Sequence, residues 1–125
     1  MRNFQNPGRS VVMSTHGMVA TSHPAATQAA VRILEAGGTA MDAAVAACAV
    51  QCVVEPGSTG IGGDCFALYS EKGSDQITAY NGAGWAPQAT SLKAVLASGE
   101  EKQLRRQSPY VVTVPGAVDA WVALT

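Results

Sequence analysis

Val53-Val54-Glu55-Pro56-Gly57-Ser58-Thr59-Gly60-Ile61-Gly62-Gly63-Asp64-Cys65-Phe66 joins a long apolar helix to a strand through a glycine-dense bend. Glu55-Pro56 ends the helix, because the residue before proline is driven toward extended geometry and the ring cannot continue the hydrogen-bond ladder. Glycine reaches dihedrals that a Cβ forbids and lets chain segments approach closely, so the bend is expected to pack tightly against another part of the molecule. The fold follows from what flanks it.

Upstream, residues 40–54 hold apolar side chains on every face, which marks a helix buried between a sheet and a further layer. Thr39 and Asp42 have the spacing of a capping box, with Asp42 placing negative charge at the positive helix end. An earlier helix begins at Ser22, expected as its cap, with Pro24 in the first turn. Ala26, Ala29, Ala30, Ile33 and Leu34 recur at helical spacing until Gly37-Gly38. Residues 10–15 and 18–21 read as short strands from their β-branched content.

Downstream, residues 65–70 and 76–80 read as strands of a hairpin across the turn at 71–75. A loop at 81–87 leads to a short helix over 91–97 stopped by Gly99. The stretch 100–109 is polar and expected exposed, residues 110–114 form a third strand, and 117–124 open a last helix. This order fits a layered α/β or α+β unit without an internal domain boundary, rather than a bundle or a β-sandwich.

Composition excludes several functions. The 125 residues are 47% hydrophobic, enough to build a core, and eight basic against nine acidic residues give a net charge of −1. Such a balance offers no field for nucleic acid or an anionic membrane, and Arg2, Arg9, Arg105 and Arg106 read as solvated surface. The apolar window 43–54 is too short to span a bilayer, which needs about twenty residues. The amino terminus lacks the apolar centre of a signal peptide. Three cysteines cannot all pair within the chain, so a reducing, cytoplasmic setting is expected.

The glycine run is no nucleotide loop: it follows a helix and precedes a strand, and has no Gly-Lys-Ser/Thr ending. Cys48 and Cys52 lie one helical turn apart, but two ligands do not close a zinc site, so no metal or other cofactor is expected. His23, at a helix start near the bend, either orients backbone or transfers protons. Gly60, Gly62, Gly63 and Asp64 read as framework close to a pocket, with Asp64 holding the bend through backbone hydrogen bonds or facing the rim. A tight interlayer turn is the other reading.

Together with Gly17-Met18-Val19-Ala20-Thr21-Ser22-His23-Pro24 and Val114-Pro115-Gly116, the run resembles the start of the large subunit of a gamma-glutamyltransferase-family enzyme, over residues 17–125. The resemblance implies an N-terminal-nucleophile hydrolase with an α/β/β/α sandwich, of which this chain is an incomplete amino-terminal part. Such enzymes are precursors that cut themselves before a threonine, whose freed amine activates its own hydroxyl for acyl transfer. No residue here fits that nucleophile, so the partners implied are the remainder of the large subunit, the small subunit and a small amide or gamma-glutamyl compound.

In gamma-glutamyl enzymes an Arg-Glu-x-Ala-Pro motif follows the hairpin, its arginine gripping the substrate carboxylate. Alignment on Ala86-Pro87 puts Ala83 at the arginine and Gly84 at the glutamate. A guanidinium grips carboxylate in a paired, planar geometry, and its loss weakens binding by about 1.5–3 kcal/mol. The resemblance therefore points to the amidohydrolase and acylase branch, oxamate amidohydrolase-like members included. A glutathione gamma-glutamyltransferase and a non-catalytic scaffold binding a small amide are the alternatives. Trp85 is either an interlayer core residue or a ligand contact.

Overall fold

The computed structural model describes residues 10–100 and 102–125; Arg2, Arg9 and the amino-terminal reading lie outside the described residues. Helix α1 spans Pro24–Glu35 and α2 Ala40–Val54, followed by strand β1 at Cys65–Tyr69, β2 at Thr78–Gly82, α3 at Leu92–Ala97, a 3-10 turn at Pro109–Val111 and α4 at Ala117–Leu124. No helix among them is long and apolar enough to cross a membrane.

Helices α1 and α2 form one packed pair. Ala26 and Ala30 meet Ala43 and Ala47 in a core made of methyl groups, with Val19, Ile33, Leu34 and Val50 around it. Side chains this small let the helix axes approach closely. Gly37 (φ 89°) reverses the chain between them, and the amides of Gly37 and Gly38 return to the carbonyls of Leu34 and Ile33 at 3.0 and 2.9 Å. These two bonds make a Schellman stop, which requires the left-handed geometry glycine adopts without penalty. The capping box then starts α2: Thr39 Oγ1 accepts from the Asp42 amide at 3.1 Å and Asp42 Oδ2 accepts from the Thr39 amide at 2.8 Å.

The cap of α1 is His23, not Ser22. Its Nδ1 accepts from the Ala25 amide at 3.1 Å, while Ser22 Oγ turns away to donate to Glu55 at 2.5 Å. Burial of α2 is also less than its composition implies. Only Ala43 and Ala47 are buried on it and Val53 is 78% exposed, because α1 covers one side of the helix and only a touch of α4 reaches another.

The sheet is a two-stranded antiparallel ribbon in which Cys65 pairs with Gly82, Ala67 with Tyr80 and Tyr69 with Thr78. Its Gly82 face packs on α4, where Gly82 lies against Ala120; Phe66 and Leu68 on the opposite face are 66% and 78% exposed. The second strand starts two residues later than its composition suggests. Ser74 binds Glu71 and Ser70, and its Oγ accepts from the Gln76 amide at 3.0 Å, so the turn consumes the backbone that would have begun the ladder.

Three further expected strands are not formed among the described residues. Residues 10–15 and 18–21 pair with no strand among the described residues; the chain bends at Thr15-His16, where Ser14 Oγ accepts from the amides of His16 and Gly17. At 110–114, Ser108 Oγ caps a 3-10 turn, and the chain straightens only afterwards, making one bond from the Val114 amide to the Trp85 carbonyl at 2.9 Å. The polar stretch before it is not all exposed either. Glu100 and Ser108 are buried, and Glu100 accepts from Arg105 Nε at 3.0 Å. Burial opposes the Glu100 charge, but hydrogen bonds from Ser108 and Arg105 and the arginine's charge together hold its carboxyl below the usual range.

The observed architecture is thus an α+β unit, with a helix pair on one side and a ribbon backed by α4 on the other.

Candidate functional site

Three segments converge beside the amino-terminal end of α4. The Gly63 carbonyl accepts from the amides of Gly116 and Ala117 at 3.1 and 3.0 Å. It thereby caps α4 from the bend and occupies amides that would otherwise face an anion. The 82–85 loop is tied to the same place by the Val114–Trp85 bond, and Asn81 Oδ1 accepts from the Ala83 amide at 3.1 Å.

The glycines that permit this convergence are Gly82, Gly84 and Gly116. A Cβ on Gly84 would stand 1.9 Å from the Val114 carbonyl oxygen, and on Gly116 2.5 Å from that of Gly82. Gly84 also has φ 74°, so space and conformation both demand glycine there. At Gly60 and Gly62, by contrast, a Cβ would meet nothing within 4 Å, and at Gly63 only the Gly60 carbonyl at 3.4 Å. The tight packing expected of the bend is therefore found twenty and fifty residues downstream of it. What Gly63 contributes is its carbonyl.

Asp64 follows directly. Thr113 Oγ1 lies 3.2 Å from Asp64 Oδ1 and 3.0 Å from the Ala83 carbonyl oxygen, bridging bend and loop. Asp64 accepts from this side chain rather than from the backbone of the bend, and it is exposed. Trp85, held at the junction by its carbonyl, is 86% exposed and is no core residue of the described chain. Thr113 escaped the sequence reading because a threonine in a β-branched run looks like strand; its position directly before Val114-Pro115-Gly116 was the available signal.

His23 belongs to a different cluster. Gln51 Nε2 donates to Ser22 Oγ at 2.7 Å and to Glu55 Oε2 at 3.0 Å, joining the start of α1 to the end of α2. Hydrogen bonds from Ser22 and then Gln51 hold the Glu55 carboxyl below its ordinary range against the effect of burial, with His23 adding a favourable charge. With Nδ1 spent on the Ala25 amide, His23 orients backbone.

Burial, then the neighbouring Cys65 and Cys52, pushes the Cys48 thiol up, which disfavours its thiolate. Among the described residues no three His, Cys, Asp or Glu side chains are placed to hold a metal. A hollow of about 400 Å³ between α1, α2 and the 18–21 segment is lined chiefly by alanine and aliphatic side chains and is separate from the Asp64 junction.

Residues 26–125 match the family model described as gamma-glutamyltranspeptidase. The chain belongs to this family. It is 39% identical over 113 residues to the glutathione hydrolase-like YwrD proenzyme of Bacillus subtilis, covering 90% of this chain and 21% of that protein. The oxamate amidohydrolase proenzyme of Klebsiella pneumoniae is 39% identical over 110 residues, covering 88% and 20%. The crystal structure of cephalosporin acylase from Bacillus halodurans superposes with a TM-score of 0.77 at 42% identity, over 95% of this chain and 23% of that one. These similarities place the chain with the amidohydrolase and acylase side of the family. It spans about a fifth of the length of the curated relatives it matches.

Proposed function

We propose that this chain builds one wall of the active site of a threonine-dependent amide hydrolase, as the opening part of its large subunit. In the whole enzyme the ribbon face bearing Phe66 and Leu68 is covered by a second sheet, giving the α/β/β/α sandwich, and the nucleophilic threonine comes from the small subunit. That threonine's amine takes the proton from its own hydroxyl as the oxygen attacks the amide carbon and passes it to the amine that departs as the C–N bond breaks; water then attacks the ester and releases the acid and the free threonine hydroxyl. This chain orients the substrate. Gly60, Gly62, Gly63, Asp64, Ala83, Gly84 and Trp85 form the frame of the pocket, while His23 acts at a distance as a backbone anchor. Three free thiols fit the proposed reducing, cytoplasmic setting.

One observation carries the substrate reading. The Asp64–Thr113–Ala83 junction, where the resemblance calls for a guanidinium, presents a carboxylate and a methyl group. The alpha-carboxylate of a gamma-glutamyl donor finds no guanidinium there and meets like charge, whereas an aryl-capped amide finds the exposed Trp85 ring. The test is hydrolysis by the mature full-length protein of phenylacetyl-p-nitroanilide and gamma-glutamyl-p-nitroanilide. The gamma-glutamyl compound should be the poorer donor. Its efficient use without preference for the other would favour the second reading, gamma-glutamyl transfer, which the glutathione hydrolase relatives keep in view.

A further inference from the structure

We infer that Thr113 is a positioning residue that aims the Asp64 carboxylate at the substrate, and that Asp64 selects amides carrying a cationic amine next to the scissile bond, resting in this on the amide-hydrolase reading above. The three converging segments are already joined by backbone bonds, from Gly116 and Ala117 to Gly63 and from Val114 to Trp85. The Thr113 hydroxyl is not needed to hold them. What the backbone leaves undirected is one side chain, Asp64.

A threonine hydroxyl has a single proton. Here that proton is shared between the Ala83 carbonyl at 3.0 Å and Asp64 Oδ1 at 3.2 Å. The arrangement fixes Oδ1 toward the loop and leaves Oδ2 without a donor among the described residues. Of the described residues that the junction's hydrogen bonds join, Gly63, Asp64, Ala83, Trp85, Thr113, Val114, Gly116 and Ala117, Asp64 alone is charged. An exposed carboxylate with one oxygen engaged and the other open accepts an ammonium N–H best, since charge-assisted bonds are about twice as strong as neutral ones. The exposed Trp85 ring, on the same loop as Ala83, supplies apolar area.

The chemistry tested is a matched pair. Phenylglycine p-nitroanilide and phenylacetyl-p-nitroanilide differ by one amine beside the same scissile amide. The mature full-length enzyme should use the amine-bearing anilide with a KM about tenfold lower, the lower end of what one charged hydrogen bond supplies, at similar kcat. Asp64→Asn and Thr113→Val should both bring the KM of the amine-bearing anilide up to that of the phenylacetyl compound, the ratio of the two KM values being read within each variant. Thr113→Ser, which retains the hydroxyl, should keep the preference, an outcome a merely structural threonine would not require. The Asp64→Asn/Thr113→Val double variant should be no worse than either single one. If Thr113→Val does not mature, Asp64→Asn and Thr113→Ser decide. A wild-type enzyme that hydrolyses phenylacetyl-p-nitroanilide or oxamate without an amine preference, or an Asp64→Asn enzyme that retains one, overturns this inference alone. A wild-type protein inactive on every amide overturns the amide-hydrolase reading as well.

Discussion

Gly84 shows how a single missing Cβ organises the site. Its left-handed φ of 74° alone makes alanine unfavourable by about 1–3 kcal/mol, and the 1.9 Å approach to the Val114 carbonyl adds a backbone overlap that no rotamer relieves. Gly84→Ala in the full-length protein should therefore sharply lower the yield of soluble, self-cleaved enzyme. Gly62→Ala should leave the contacts of this chain intact. Comparing the two by thermal melting checks the point, and equal effects would show that something outside this chain packs on Gly62. The sequence made glycine density visible but not which glycines are crowded, because crowding depends on the partner segment. Gly84 and Gly116 lie 32 positions apart, yet a Cβ on Gly116 would come within 2.9 Å of the Gly84 nitrogen. The exposure of Asp64 was legible from its place beside the bend, whereas its hydroxyl partner, Thr113, was not.

Elements whose signals are local were readable. Thr39 and Asp42 make their capping box within four residues, Gly37-Gly38 stop α1 with their own amides, and α4 begins where Pro115-Gly116 says it should. Strands at 18–21 and 110–114 needed neighbours at long range, which β propensity does not supply. Between α1 and α2 the Ser22–Gln51–Glu55 cluster ties one helix start to the other helix end, and it confers a pH dependence of definite sign. The folded Glu55 carboxyl lies below its ordinary value of 4.5. Its contribution to stability is thus fully present above that value and is lost as pH falls through the lower, folded one. Melting of the full-length protein between about pH 6 and pH 3 should show this acid-side loss, diminished in Glu55→Gln. An identical profile for the variant would remove Glu55 from the account.

The six buried hydrophobic residues of the described chain are all alanine: Ala26, Ala30, Ala43, Ala47, Ala117 and Ala120. Phe66, Leu68, Val53 and Trp85 stay more than half exposed. Chains of about this length ordinarily bury two-thirds of their unfolded surface, and a core of methyl groups does not offset the entropy of ordering the backbone. The isolated 125-residue chain should give no cooperative calorimetric transition and should self-associate on size exclusion; a monomer that unfolds cooperatively would contradict this. Resemblance at the level of motif identified the family, and the match across residues 26–125 establishes it. The sandwich implied by the resemblance has no second sheet among the described residues, which hold one two-stranded ribbon. The proposal that this wall serves a self-activated threonine is tested most directly by the intact mass of the purified full-length protein. Two subunits, the larger containing this chain and the smaller beginning with threonine, are the expected result. A single uncleaved polypeptide that nevertheless hydrolyses amides would contradict it.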